Sequence, residues 1–358
     1  MERFGFVGLP NAGKSSLFNA LAGGGALAAP YAFATKDPNV GVAKVFDSRL
    51  DALAVMSASK NVVHASVQFV DIGGLVEGAS QGEGLGNRFL ANIREVDAIV
   101  FVLRSFVDED VPGPDDPIEH LRVLEIELAL ADLATVESQV EKRRKASRAD
   151  KSLVDEVEAL DFALKALSDG APLYRAGLTE EFRELLKPFF LLTAKPVLAV
   201  VNVAEDEAGN ADAAAELVRV ELGAEADVMG MCVQLEAEAA QLDEAERSEM
   251  LEALGLGEGA LPRFVRTAYQ RLGLRTFLTT GDKESRAWTF RAGAKAPECA
   301  GRIHTDLQRG FIRAEVIHWD ELLDIGSWNK AKELGKLRVE GKEYEVVDGD
   351  VLEIRHNS

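Results

Sequence analysis

The chain has 358 residues and a mass of 38.7 kDa, with 40 Lys and Arg against 60 Asp and Glu, a net charge of −20 and a pI near 4.8. This length predicts two or three domains with a sizeable core, and 47% hydrophobic against 28% charged residues excludes a disordered chain. The charge excludes a protein that coats nucleic acid or an anionic membrane with its whole surface, and leaves room for a local basic patch.

Cys232 and Cys299 are too few for a disulfide framework and lack zinc-ligand spacing, which suits a reducing compartment. The N-terminus has no basic segment followed by an apolar stretch. The most apolar later run, Phe189 to Val203, is broken by Lys195-Pro196 and is too short to span a bilayer. A cytoplasmic protein without a membrane partner is expected.

In chain order, Phe4 to Val7 reads as a short strand, followed by a Gly-rich turn and a helix from about Lys14 to Leu21. Val67–Val70, Ala98–Leu103, Val197–Val203 and Val228–Val233 are further buried-strand candidates. Strands alternating with helices predict a parallel α/β sheet covered on both faces. Between Ile118 and Lys187 the texture changes. Leu133, Val136 and Val140, then Leu153, Val157, Leu160, Leu164 and Leu167, step by threes and fours, which predicts a helical hairpin. Its tip holds Lys142, Arg143, Arg144, Lys145, Arg148 and Lys151 against Asp150. From about Thr276 a small α+β module is predicted: a strand at Ala287–Phe290, a helix at Ala300–Phe311, and short strands at Lys336–Val339, Glu343–Val347 and Val351–Arg355. The expected division is 1–117 and 188–275 for a nucleotide-binding domain, 118–187 for a helical insertion and 276–358 for the last module.

Gly8-Leu9-Pro10-Asn11-Ala12-Gly13-Lys14-Ser15 matches G-x-x-x-x-G-K-[ST] between a predicted strand and a predicted helix. Such a turn wraps backbone N–H groups around phosphate oxygens, and the helix N-terminus adds partial positive charge. Lys14 would reach the β- and γ-phosphates, and Ser15 would coordinate Mg²⁺. Asp71-Ile72-Gly73-Gly74 ends a strand, where a metal-holding carboxylate belongs, directly or through water; the Gly74 N–H can sense the γ-phosphate. Thr35, between these motifs, suits a switch loop that meets Mg²⁺ only when a γ-phosphate is present. Gly78 to Asn87 reads as a mobile switch segment.

Asn202-Val203-Ala204-Glu205 stands where GTP-binding domains of this type carry N-K-x-D. Replacing the guanine-reading Asp by the longer Glu205 weakens the case for GTP and raises ATP. Leu75 occupies the place of a water-orienting Gln, so slow intrinsic turnover is expected, with activation left to backbone groups, the metal, a monovalent cation near Asn11, or a partner.

These motifs, with Gly82-Glu83-Gly84-Leu85-Gly86-Asn87, Arg286-Ala287-Trp288-Thr289-Phe290, Ala300 to Asp306 and Gly310 to Val316, resemble the YchF / Obg-like ATPase family over essentially the whole chain. The resemblance implies an α/β P-loop NTPase of the Ras-like, TRAFAC class with an inserted α-helical hairpin and a C-terminal β-grasp (TGS) domain. It implies preference for ATP over GTP, Mg²⁺ with K⁺ supported by Asn11, and association with the ribosome, its RNA or a translation factor, not DNA. Nucleotide contacts fall by resemblance on Asn11, Ala12, Gly13, Lys14, Ser15, Ser16, Asn202, Val203, Glu205 and Cys232, the metal on Ser15, Thr35 and Asp71, and catalysis on Lys14 and Gly74. The chain departs from the family at Gly73, where Ala is commoner, at Val203, and at Asp108 to Pro114, which lacks a histidine often found there. His120 lies on a predicted helix and does not inherit that role. The alternatives are a GTPase of ribosome assembly and a nucleotide-gated binding protein with negligible hydrolysis.

Overall fold

A computed structural model describes residues 2–23, 40–72, 85–107, 114–223 and 226–357, side chains of 85–88 excepted. The chain divides into two compact units, residues 1–43 with 68–264 and residues 44–67 with 265–358.

In chain order the elements begin β1 (Arg3–Val7), α1 (Lys14–Gly23), β2 (Val40–Val45), α2 (Ser48–Met56), β3 (Asn61–Val63), β4 (Ala65–Asp71), α3 (Leu85–Arg94) and β5 (Ala98–Ser105). They continue with α4 (Pro117–Ser147), α5 (Val154–Ser168), α6 (Glu180–Leu186), β6 (Val197–Val203), α7 (Ala211–Leu222), β7 (Asp227–Met231), α8 (Val233–Ala239), α9 (Glu244–Ala253) and α10 (Ala260–Arg271). The last are β8 (Leu274–Thr279), β9 (Glu284–Arg291), α11 (Ala296–Ile303), α12 (Thr305–Arg309), β10 (Phe311–His318), α13 (Trp319–Ile325), α14 (Trp328–Glu333), β11 (Arg338–Glu340) and β12 (Asp350–His356).

The first unit is built on a sheet of order β2-β4-β1-β5-β6-β7, in which β4, β1, β5, β6 and β7 are parallel. All seven residues of β6 are buried, the continuous apolar pattern of a strand covered on both faces. Chain order turns at β1, so the loop after β1 opens at the C-terminal edge of the sheet, where ligands bind in open α/β folds. The expected strand 228–233 ends at Met231, because Val233 already opens α8.

Helix α4 serves two cores. Leu121, Leu124 and Leu128 pack against the sheet, while Val136 and Val140 join Leu160, Ala163, Leu167 and Phe189 in a separate cluster along α5. Asp116 caps α4 by accepting from the Ile118 amide at 2.8 Å, with Pro117 in the first turn. Asp132, fully buried on α4, accepts from the Leu192 and Thr193 amides and the Thr193 hydroxyl at 2.7–2.8 Å, fixing the approach to β6.

The second unit has a mixed sheet of order β11-β10-β12-β8-β9-β3. Phe277, Phe290, Phe311, Val316 and Leu352 pack with Ala296, Cys299 and Ala300 of α11. Two of the secondary-structure elements expected here differ. The helix expected over 300–311 breaks at extended His304, and Phe311 starts β10, where its side chain is buried in the sheet's core. The expected strand 343–347 reduces to one bridge, Lys295 to Glu345. Residues 44–67, expected in the nucleotide-binding domain, belong to this unit: β3 runs parallel beside β9, Arg49 binds Asp348 at 2.6 Å, and the Ser59 hydroxyl donates to the Gly281 carbonyl at 2.7 Å. The division between units falls within α10, ahead of the 275/276 boundary expected from sequence.

Candidate nucleotide site

The loop between β1 and α1 takes its shape from two residues with positive φ, Asn11 at 62° and Gly13 at 101°. Asparagine tolerates this region and glycine occupies it without steric cost. Gly13 is also held by space, since a Cβ there would lie 2.5 Å from the Asn202 amide nitrogen; one at Gly8 would lie 2.5 Å from the Val102 carbonyl. The loop therefore rests against β5 and β6 with no room for side chains at either glycine.

Lys14, 6% exposed, donates from Nζ to the Leu9 carbonyl at 2.8 Å, spanning the loop. Burial pushes its amine below the usual lysine range, and the Asp71 charge opposes that shift. The Ser15 hydroxyl donates to Asp71 Oδ2 at 2.9 Å across 56 residues. A hard cation takes hydroxyl and carboxylate oxygens, so the pair fits Mg²⁺. Ala12 is fully buried, while Asn11 and Ser16 are exposed.

On the far side, Asn202 is 6% exposed and ties three elements together. Its Nδ2 donates to the Ala12 carbonyl at 3.1 Å, and its Oδ1 accepts from the Val233 amide at 3.0 Å, linking the loop, the end of β6 and the start of α8. Its register partner on β5 is Arg104, 2% exposed, which donates to the Phe106 carbonyl at 2.9 Å and lies over the Phe106 ring. Sequence reading missed Arg104; its one signal is a charge at the end of an otherwise apolar run.

The assignments beyond Asn202 divide. Glu205 is exposed at the start of a 3-10 turn, and its charge, with burial, raises the Cys232 thiol; burial is the larger cause. Cys232 is buried at the N-cap of α8, so it contributes packing and a backbone turn rather than a reactive thiol. Val203 is 2% exposed, and its side chain belongs to the sheet's core cluster, as every side chain of β6 is enclosed. Thr35, Gly73, Gly74, Leu75, Gly78 to Gly84 and Asp108 to Gly113 lie outside the described residues. Leu85 to Asn87, read as part of a switch loop, open α3. His120 is 2% exposed on α4 and its Nε2 lies 2.6 Å from the Pro114 carbonyl; burial holds its pKa down, consistent with a packed neutral ring.

The basic end of the hairpin is partly self-neutralised. Arg143 pairs with Glu156 at 2.8 Å, and Arg144 with Glu141 and Asp161 at 2.9 and 2.6 Å. Lys142, Lys145, Arg148 and Lys151 are exposed. Among the described residues no helix is long and apolar enough to cross a membrane.

Comparison with known proteins agrees with this geometry. Residues 3–129 match a family described as 50S ribosome-binding GTPase, and residues 274–357 match the C-terminal family of YchF GTPases, described as a protein of unknown function. A Bacillus subtilis protein named "Ribosome-binding ATPase YchF" is 46% identical over 99% of this chain and 98% of its own. The Escherichia coli O157:H7 protein of that name is 42% identical over the same shares. The solved structure of the Schizosaccharomyces pombe YchF GTPase superposes with a TM-score of 0.87 at 33% identity, covering 99% of this chain and 97% of that one. With relatives matched end to end, a P-loop fold in the first unit and the YchF C-terminal domain in the second, the chain belongs to the YchF family.

Proposed function

We propose that this protein is a Mg²⁺-dependent ATPase of slow intrinsic turnover that docks on the ribosome and changes state with the nucleotide it holds. The observation that carries the reading is the convergence of buried Lys14 with the Ser15–Asp71 pair at one end of a loop walled by Asn202. Lys14 would place its ammonium against the transferring phosphoryl group, where a preorganised cation stabilises charge developing in the transition state. Its burial weakens its hold on the proton in the free protein, and a bound polyphosphate would strengthen that hold. Ser15 and Asp71 would hold the Mg²⁺, with Thr35 completing the set once a γ-phosphate is bound. When bound, that ion supplies neutralisation of the phosphate charge.

Glu205 follows β6 and would read the base, which supports adenine over guanine, and the name ATPase among the bacterial relatives points the same way. The name GTPase carried by the family descriptions and by the S. pombe structure favours the rival reading. Asn11 is exposed in the left-handed conformation, suited to a K⁺ ligand beside the phosphates. The docking reading rests on the relatives' name and on the exposed bases at the hairpin end, a fit to phosphate backbone.

Parallel titration with ATP and GTP, followed by single-turnover hydrolysis with and without ribosomes and K⁺, tests this reading. We expect tighter ATP binding, slow basal hydrolysis that rises with a partner or K⁺, and a loss of about 10²–10³-fold for Lys14→Ala. Equal or tighter GTP binding would hand the case to the GTPase reading, and hydrolysis that stays negligible under every condition would leave a nucleotide-gated binding protein.

A further inference from the structure

Beside β7, the edge strand of the first unit's sheet, lies a cavity of about 330 Å³ whose described lining includes none of Lys14, Ser15 and Asp71. Its walls are the turn entering α7, the end of β7, the turn between α9 and α10, and the start of α10, all within the first unit. Small-molecule sites begin at about this size, near 300 Å³.

The polar groups on these walls are mostly acidic. Glu236 of α8 is 5% exposed and accepts from the Ala260 amide at 2.6 Å and the Leu261 amide at 3.4 Å, which joins it to the start of α10. The turn wraps it closely, since a Cβ at Gly259 would lie 3.0 Å from its Oε2. Burial pushes its carboxyl above the usual range, against the pull of the two amides. Asp212 of α7 and Arg263 of α10 also line the cavity and pair at 3.3 Å, long for a charge-assisted hydrogen bond. Glu258 supplies a third carboxylate.

Three carboxylates against one guanidinium leave the cavity negative, on a flank where residues 203–260 hold 16 acids and 2 bases. That field disfavours phosphates and carboxylates as occupants. A single metal ion does not suit the walls either, because among the described residues no three His, Cys, Asp or Glu side chains come together closely enough to hold one. Acceptors spread around a cavity fit a cation whose charges are spread along a chain. Ala208, Met231 and Leu256 add apolar surface, against which the methylenes of such a chain can lie while its charged groups meet carboxylates.

We propose that this cavity binds a linear aliphatic polyamine, with its ammonium groups on Asp212, Glu236 and Glu258 and its methylenes against Ala208, Met231 and Leu256. Arg263 is the protein's own cation at this place, and its long pair with Asp212 is the contact that an incoming ammonium would share.

The test is isothermal titration of the full chain, free of nucleotide, with spermidine at physiological ionic strength; the outcome is thereby independent of the ATPase reading. The parent should bind one spermidine saturably, and Mg²⁺ at the same concentration should not displace it. Asp212→Asn with Glu258→Gln should weaken binding about 10-fold or more, because hydrogen bonds to charged groups are lost. Ala208→Trp, which fills the cavity and keeps the charge, should abolish binding. Glu244→Gln with Glu252→Gln removes the same charge from exposed positions on α9 outside the cavity and should leave the affinity at the parental value. Equal weakening by the two double variants, retained binding in Ala208→Trp, or displacement by Mg²⁺ would make spermidine a diffuse counterion of the acidic flank and overturn the proposal. A parent protein without saturable binding would overturn it as well. Asp212 and Glu258 are exposed, so the dichroism of their double variant should match the parent and separate lost binding from lost fold.

Discussion

Asn202 is the residue on which the nucleotide site turns structurally. One amide satisfies two buried backbone groups, the Ala12 carbonyl and the Val233 amide, that belong to elements 31 and 190 residues away. Leaving a buried donor or acceptor without its partner costs about 1–3 kcal/mol. Asn202→Ala should therefore lower stability by about 2–4 kcal/mol and loosen the loop around Gly13, which otherwise contacts the Asn202 amide. Asn202→Asp should keep the acceptor toward Val233 and place a repelling oxygen against the Ala12 carbonyl. Urea unfolding with and without ATP checks both: the alanine variant should lose more of the ATP-dependent stabilisation than of the intrinsic stability, and equal losses would reduce Asn202 to a packing residue. Sequence reading could name Asn202 because its motif ends a strand, and Lys14, Ser15 and Asp71 because phosphate and metal chemistry fixes residue types at fixed spacing. It could not see that Asn202 braces the phosphate loop, since that bond depends on the order of strands and not on any local pattern. Val203 shows the converse limit, since its side chain is enclosed in the sheet's core cluster, which its place in the motif does not announce. Within a motif, position alone does not tell a base-facing side chain from one enclosed by the sheet.

At the scale of elements, what was legible followed periodicity. The threes and fours of Val136, Val140, Leu160 and Leu167 announced the hairpin, and all four are buried in its cluster. The C-terminal helix over 300–311 misled because Ala300, Ile303, Leu307 and Phe311 keep helical spacing, although extended backbone at His304 divides the run and Phe311 is the first residue of a strand. The association of β3 with β9 had no local signal at all: Asn61 meets Glu284 and Val63 meets Arg286, more than 200 residues on. Because the hairpin has an apolar cluster distinct from that of the sheet, its damage should stay local. Leu160 is fully buried there, and Leu160→Ala should cost about 2–5 kcal/mol. Amide exchange should accelerate in α5 and in the C-terminal half of α4, while α1 and β1 keep their protection and ATP affinity is unchanged. Faster exchange spread evenly over the first unit would mean that the hairpin and the sheet unfold together.

For the whole molecule, the acidity is unevenly placed and so are the perturbed acids. Residues 203–260, within the first unit, hold 16 acids against 2 bases. Three buried acids of that unit, Glu125, Asp132 and Glu236, have pKa values raised chiefly by burial. A raised carboxylate binds more protons folded than unfolded, so stability falls as pH climbs from about 4, the unfolded value, through the folded one, and recovers as pH is lowered. The second unit has the opposite bias. Hydrogen bonds from Arg355 to Glu315, from His318 to Asp320 and from Lys295 to Glu343 hold those carboxyls below their ordinary values. Their contribution is present above about pH 4 and is lost as pH falls through the lowered values. Lowering pH from 7 toward about 5 should thus strengthen the first unit, through the buried acids and through weaker self-repulsion of its acidic flank, and leave the second nearly unchanged. Below about 4 the second unit should weaken. The two can be followed separately, because the three tryptophans, Trp288, Trp319 and Trp328, all lie in the second unit, whereas the long helices α4 and α5 dominate far-UV dichroism from the first. Thermal unfolding read by tryptophan fluorescence and by dichroism should give midpoints that separate as pH drops, dichroism rising relative to fluorescence. Midpoints that move together across the whole range would show one cooperative unit and refute the assignment of opposite proton linkage to the two halves.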